Sequence, residues 1–292
     1  MSDRGETNSE QFFRLVQQTT LPAFTLTESV SARDFTVPPH LHEETHITLM
    51  LAGNCQETYM GRGRELTPLK ALYFHPGESH SLRVFNEPIR TFDIEINRDW
   101  LDRLLERSIA PAALLHSHSH SISWLAARLY GEFRESDDVS RLAMEGLALE
   151  MLADLARASM RGRTKKAPRW LQQVVEIVRD EFSRPLALSE LAKTVDVHPA
   201  HLAEVFREHH RCTLGEFIRR TRIEQAIRQM ADHRVSLADI SLAAGFSDQS
   251  HFSRVFKRIT GLTPAQFRHL HFNTNPVQNI RESYKTDTTH SD

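Results

Sequence analysis

Read for its apolar and polar positions, the chain falls into two halves with different periods. Between about residues 20 and 105 the apolar runs are short, as in Ile47-Thr48-Leu49-Met50-Leu51 and Ala71-Leu72-Tyr73-Phe74. They stop at Gly53, Gly61, Gly63, Pro76 and Gly77. Short runs ending at turn formers are the imprint of strands, and Phe92 to Ile96 alternates as a half-buried strand does. The pattern predicts a sandwich or small barrel. From Ile122 the period lengthens. Leu125, Leu129 and Phe133 recur every four positions, on one face of a helix. Leu142, Leu149, Met151, Leu152 and Leu155 carry a second helix, interrupted only by Gly146. Residues 157–168 are basic with no acidic residue and read as a linker. Trp170 to Leu270 reads as helix throughout, and the polar tail from Phe272 as frayed.

The second half contains a repeat. Leu191-Ala192 precedes Leu202 and Phe206, and Ile240-Ser241 precedes Phe252 and Phe256, with the later pairs 50 positions apart in register. Each unit reads as a short helix, a tight turn and a second helix. Gly245 falls where the second turn needs positive φ. Ser247 is the expected N-cap of the helix after it, and Pro199 suits the first turn of its counterpart. Between the units, Leu214 to Ala231 reads as one helix carrying Phe217, Ile218, Ile223 and Ile227. At 1.5 Å per residue it spans roughly 27 Å, which approaches the ~34 Å between successive major-groove segments on one face of DNA.

Charge sharpens this division. The net charge is −2. Residues 1–160 hold 15 basic and 23 acidic side chains, whereas residues 161–270 hold 19 and 12. A basic helical half joined to an acidic half points to a polyanion as partner of the former. No apolar run is long enough to span a membrane. The N-terminus lacks the basic start and apolar stretch of a secretory signal. Cys55 and Cys212 stand far apart in no metal or redox pattern. These features predict a cytoplasmic protein with no membrane partner.

The stretch from Leu186 to Arg268 resembles the DNA-binding domain of the AraC/XylS family of transcription regulators. The second unit carries most of the resemblance: the Gly245-Phe246 turn, the run Ser250-His251-Phe252-Ser253-Arg254-Val255-Phe256-Lys257, and Gly261-Leu262-Thr263-Pro264. Asp196 stands where the first turn of that family often has Gly, and Ser241 where Ala is common. His198 replaces the usual N-capping Ser or Thr, which predicts a less rigid first unit. In helix-turn-helix proteins the start of each second helix reads base edges. With Phe252, Val255 and Phe256 facing the core, the outward set is Gln249, Ser250, Ser253 and Arg254. Gln can pair with adenine and Arg with guanine. Lys257 and Arg258 are assigned to phosphates. The corresponding set in the first unit is Pro199, Ala200, His201 and Glu204.

In the first half, His40, His42 and His46 share parity, which on one extended strand places them on one face. Downstream, Pro76-Gly77 marks a turn that delivers His80 onto the next strand. His-x-His-x3-His-x6-Gly followed by Pro-Gly-x-x-His is similar to the two motifs of the cupin barrel. That resemblance implies a pocket whose side chains often hold a divalent metal. Here His46 replaces the usual Glu and His75 a Pro. Neutral imidazoles suit zinc, copper, iron or nickel, and a small organic effector is the other occupant expected. The run His116-Ser117-His118-Ser119-His120 is read as a solvated loop.

The expected fold is therefore α+β: an N-terminal cupin-like β-barrel with helices, and a C-terminal all-α domain with two helix-turn-helix motifs. The boundaries expected are 20–160 for effector binding and dimerisation and 169–270 for DNA binding. The expected function is a sequence-specific transcription regulator under small-molecule control, with no cofactor required and no enzymatic activity. The resemblance implies activation as the commoner mode. Promoter DNA, RNA polymerase, the effector and a second copy in a homodimer are the expected partners. A metal-dependent cupin enzyme with a DNA-binding appendage is the alternative that the histidines raise.

Overall fold

A computed structural model describes residues 12–59, 61–74, 76–108, 120–135, 137–161 and 167–272. It divides at 159/160 and at 265/266 into two compact units. The strands described in the first unit are β1 (Phe13–Thr20), β2 (Phe24–Ser31), β3 (Phe35–Leu41), β4 (Thr45–Ala52), β5 (Cys55–Tyr59), β6 (Arg62–Leu66), β7 (Ala71–Phe74), β8 (Ser79–Val84) and β9 (Arg90–Ile96). They form two sheets, ordered β1-β2-β9-β4-β7 and β3-β8-β5-β6, with every pairing antiparallel. Met50, Leu72 and Phe74 of the first sheet pack with Cys55, Leu66 and Val84 of the second, and this apolar layer joins the two.

Helices α1 (Arg98–Ser108), α2 (His120–Glu135) and α3 (Ser140–Arg161) follow. Leu125, Leu129 and Phe133 of α2 are buried, as their spacing predicts. Phe92 of β9 meets Tyr130 and Phe133 at ring distances of 5.2 and 5.1 Å. The Ser123 hydroxyl accepts the Ala71 amide at 3.0 Å. The helix therefore covers a face of the five-stranded sheet. On that face Glu28 is fully buried between Arg90, its ion-pair partner from β9, and Arg134 of α2 at 3.0 Å. In α3 the buried side is Met144, Leu147, Met151, Leu152 and Leu155. Leu142 and Leu149 stand on the other side, 72% and 43% exposed. Helix α3 also runs to Arg161, through residues that the sequence assigned to the linker. The histidine run at 116–119, His75, residues 162–166 of the linker and the tail beyond Phe272 lie outside the described residues.

The second unit begins with α4 (Arg169–Asp180). Then come α5 (Leu188–Thr194), α6 (Pro199–His210), α7 (Leu214–Met230), α8 (Leu237–Ala243) and α9 (Gln249–Thr260), with α10 (Pro264–Phe272) across the second division. Helix α7 starts at a capping box in which Thr213 and Glu216 exchange hydrogen bonds. Its buried side includes Phe217, Ile218, Ile223 and Ile227. At 17 residues it is close to the length expected for the connector.

Candidate functional site

The two helix pairs α5–α6 and α8–α9 close in the same way. Val197 donates its amide to Ala192 O, and Phe246 donates its amide to Ser241 O, each at 3.0 Å. Ala192 and Ser241 are fully buried, so each packs at the inner bend of its turn. Ser241 is accommodated there because its hydroxyl donates to Ala238 O at 2.7 Å. The left-handed residue of the first turn is Asp196, with φ 53°, and that of the second is Gly245, with φ 84°. At Gly245 a Cβ would lie 2.5 Å from Ser183 O and 2.7 Å from Ser183 Cα. The position therefore excludes a side chain on two grounds, conformation and space. Arg222 of α7 holds that neighbouring loop, donating to Phe182 O at 2.8 Å and Arg184 O at 3.0 Å.

Two capping expectations change. The N-cap of α9 is Asp248 rather than Ser247, and its carboxylate accepts the His251 amide at 2.7 Å. A carboxylate at a helix N-terminus caps and also opposes the helix dipole, and Ser247 donates its hydroxyl to that carboxylate. His198 caps α6 itself, its Nδ1 accepting the Ala200 amide at 3.3 Å. Pro199 occupies the first helical position.

On α9, Phe252, Val255 and Phe256 are buried, while Gln249, Ser250, Arg254, Lys257 and Arg258 are exposed and Ser253 is half-buried. On α6, Ala200, His201 and Glu204 are exposed and Pro199 is half-buried. His201 lies beside Trp170 of α4, with ring centroids 5.7 Å apart. Beside α9 is a concavity of about 500 Å³ lined by Arg219, His251, Arg254, Val255 and Arg258. Arg219 comes from α7, a residue that sequence reasoning passed over because nothing local distinguishes it from the other arginines of that helix. Among the described residues, no carboxylate pairs with Arg219, Arg254 or Arg258. Three guanidiniums around one hollow supply donors that suit the anionic and carbonyl oxygens of a nucleic acid, phosphate and base edge alike.

In the first unit the four histidines of the sequence reading come together, but by a different route from the one expected. They do not share one strand. His40 is in β3 of the four-stranded sheet, His42 lies in the bend after it, and His46 is in β4 of the other sheet. His80 is the cross-strand partner of His40. The Gly77 amide donates to His42 O at 2.9 Å and ties the Pro76-Gly77 turn to this bend. Ring centroids are 4.2 Å apart for His40–His80, 5.1 Å for His42–His80 and 4.1 Å for His42–His46. His40, His42 and His80 place one ring nitrogen each within 4.8 Å of one another.

His46 has a different environment. Its Nε2 lies 3.1 Å from Asp93 and 3.0 Å from Thr48, and its Nδ1 lies 3.7 Å from Glu95. Burial opposes a charge on this ring, but the hydrogen bond to Asp93 and the negative charge of nearby Glu95 outweigh it and raise its pKa to about 9. Burial, with neighbouring imidazoles, lowers His42 to about 2 and His80 to about 3. The neutral rings of His42 and His80 thus stand near one charged ring, that of His46, which has two carboxylates beside it. The Cys55 thiol is raised to about 12 by burial and the adjacent Glu57, which makes it an inert core residue.

The AraC-like ligand binding domain family matches residues 22–152, and a helix-turn-helix domain family matches residues 191–269. The chain is 24% identical over 245 residues to the HTH-type transcriptional activator RhaR of Escherichia coli, spanning 79% of this chain and 86% of that protein. It is 41% identical over 68 residues to the probable transcription factor PqrA of Proteus vulgaris, spanning 23% of this chain and 56% of that one. Among solved structures, ToxT of Vibrio cholerae with bound unsaturated fatty acid aligns with 87% of this chain and 98% of its own, at 14% identity and a TM-score of 0.38. With a ligand-binding domain of this type ahead of paired helix-turn-helix units, the chain belongs to the AraC family of transcription regulators.

Proposed function

We propose that this regulator activates transcription from promoters that it recognises through α6 and α9, in contact with RNA polymerase, and that an effector bound in the first unit sets its affinity for DNA. Its place of action is then the cytoplasm, and no described helix is long and apolar enough to cross a membrane. The observation that carries the reading is the outward face of α9, where Gln249, Arg254, Lys257 and Arg258 stand exposed over a buried Phe252-Val255-Phe256 face. An effector acts by preferring the arrangement that engages DNA, because only differential affinity shifts an equilibrium. No catalytic activity is part of this reading; turnover of a substrate by the purified protein would favour the enzyme alternative.

Binding-site selection with the full chain is the test, followed by salt titration on the selected site. Arg254→Ala is expected to cost about 1–3 kcal/mol at that site and to relax preference at one base position. Lys257→Ala and Arg219→Ala should weaken all sequences alike and reduce the log–log salt slope by about 1 each. An unchanged sequence preference for Arg254→Ala would contradict the outward-face assignment.

The same reading includes a homodimer formed through α3. Leu142, Gly146 and Leu149 follow one another along a single face, and a Cβ at Gly146 would meet nothing within 4 Å. The face is self-complementary. Antiparallel apposition about residues 145 and 146 sets Leu142 of one copy against Leu149 of the other, and Arg141 against Glu150. Leu142→Glu with Leu149→Glu should convert the dimer to a monomer in light scattering with the far-ultraviolet spectrum unchanged. A dimer that survives both substitutions places the interface elsewhere.

A further inference from the structure

We propose that His40, His42 and His80 form a binding site for one divalent transition-metal ion, with zinc and its neighbours as the chemical class, and that His46 is not among the ligands. The proposal rests on the reading above only in making this ion the signal that the first unit receives.

Three observations support the site. The first is convergence: three imidazoles from β3, the bend after it and β8 bring ring nitrogens within 4.8 Å of one another. Zinc–imidazole bonds are about 2.0–2.1 Å, so closing around an ion takes a contraction on the order of an ångström, within reach of side-chain torsions.

The second is orientation. His40 Nδ1 lies 3.0 Å from Pro38 O, a group that only accepts, so Nδ1 carries the proton and Nε2 presents its lone pair. A backbone carbonyl on the far nitrogen is the usual support of a ligating imidazole.

The third is an unmet need. His80 is buried, and its Nδ1 has no hydrogen-bond partner among the described residues. A buried polar atom left in that state costs about 1–3 kcal/mol. Nearby, Glu57 is fully buried on β5; its partner Leu82 is two residues along β8 from His80. Its Oε1 also lacks a partner among the described residues, whereas Arg64 holds Oε2. A carboxylate in that position offsets part of the charge of an incoming cation.

His46 fails as a ligand on the same geometry. Asp93 and Thr48 occupy its Nε2, and its Nδ1, which faces Glu95 at 3.7 Å without a hydrogen bond, is not among the three nitrogens that converge. Its ring instead stacks on His42, with an interplanar angle of 10°. Three protein ligands leave at least one coordination position for an external oxygen or nitrogen donor.

The test uses full-length protein purified without a histidine tag or chelator. Zinc is titrated by calorimetry, and cobalt by its visible d–d absorption, which reports nitrogen ligation directly. The expected result is about one equivalent bound by the wild type. His42→Ala and His80→Ala should each weaken binding at least 100-fold while keeping the wild-type far-ultraviolet circular dichroism and thermal unfolding of the metal-free protein, which shows that the chain is folded. His46→Ala should keep the stoichiometry and the cobalt spectrum. Absence of binding overturns the proposal and leaves the DNA-binding reading intact, as does binding that survives His42→Ala and His80→Ala. Loss of the metal in His46→Ala equal to that in His42→Ala overturns the ligand assignment.

Discussion

Glu28→Gln is expected to destabilise the ligand-binding domain by about 3–5 kcal/mol, because it leaves a buried arginine charge without a counter-charge. The argument turns on Arg90. Its side chain is 7% exposed and pairs with Glu28, which has no exposure at all. Arg134, the other partner, is 38% exposed and can turn to water when Glu28 is neutral, so it adds little to the cost. The substitution preserves shape and removes only charge, which separates electrostatics from packing. Replacing both members, as Glu28→Met with Arg90→Met, should restore much of the loss, since apolar pairs of similar volume often substitute for buried ion pairs at little cost. Chemical denaturation of the two variants and the wild type measures the difference. A single variant as stable as the wild type would show that Arg90 finds water or another acceptor. Glu28 also ties β2 to α2 through Arg134, so removing its charge should loosen the attachment of that helix to the sheet.

Gly245→Ala is expected to cost about 2–5 kcal/mol and to abolish specific DNA binding through the second helix pair. One part is conformational: a left-handed backbone costs an L residue roughly 1–2 kcal/mol. The other is steric, since the new methyl would press on backbone atoms of Ser183 at 2.5–2.8 Å, and backbone cannot swing aside as a side chain can. Gly61→Ala supplies the control. Its φ is +73° but a Cβ there meets nothing within 4 Å, so only the conformational part applies. Thermal unfolding should show a clearly larger drop for Gly245→Ala than for Gly61→Ala. Equal drops would show that the α4–α5 loop yields to the methyl.

The helical half was legible because its signals are local. Apolar spacing, Gly245, Pro199 and the repeat of Phe252 and Phe256 after Leu202 and Phe206 all act within a few residues of where they are read. Where the reading erred there, two neighbours offered the same chemistry. Ser247 and Asp248 can both cap, and the carboxylate, one residue nearer the helix, takes the amide. Arg219 was missed because its partners in the concavity lie more than 30 positions downstream. In the β-rich half, parity named histidines that do converge, by an argument that does not hold. Period-two reasoning assumes an unbroken strand, yet the chain bends after Leu41 and enters the other sheet at Thr45. Convergence of the rings depends on strand pairing, which no short window reports. Likewise the carboxylates beside His46, hydrogen-bonded Asp93 and nearby Glu95, come from β9, nearly 50 residues away. Leu142 and Leu149 mark the second helix together with Met151, Leu152 and Leu155, and only packing separates them, since the sheltered side of α3 is the other one.

Helix α7 joins the two reading units as a single rod, capped at its start by Thr213 and Glu216 and with no Pro within it. A rod cannot stretch or twist cheaply, so when both units engage one duplex the distance and rotational phase between the two segments are set by the protein and not by the promoter. Each base pair inserted between those segments turns one by roughly a tenth of a helical revolution relative to the other. The cost falls on the duplex, which must overtwist or bend, or on the protein, which must release one segment. A target site is thereby selected by its spacing as well as its letters: two well-matched half-sequences out of phase offer only one foothold.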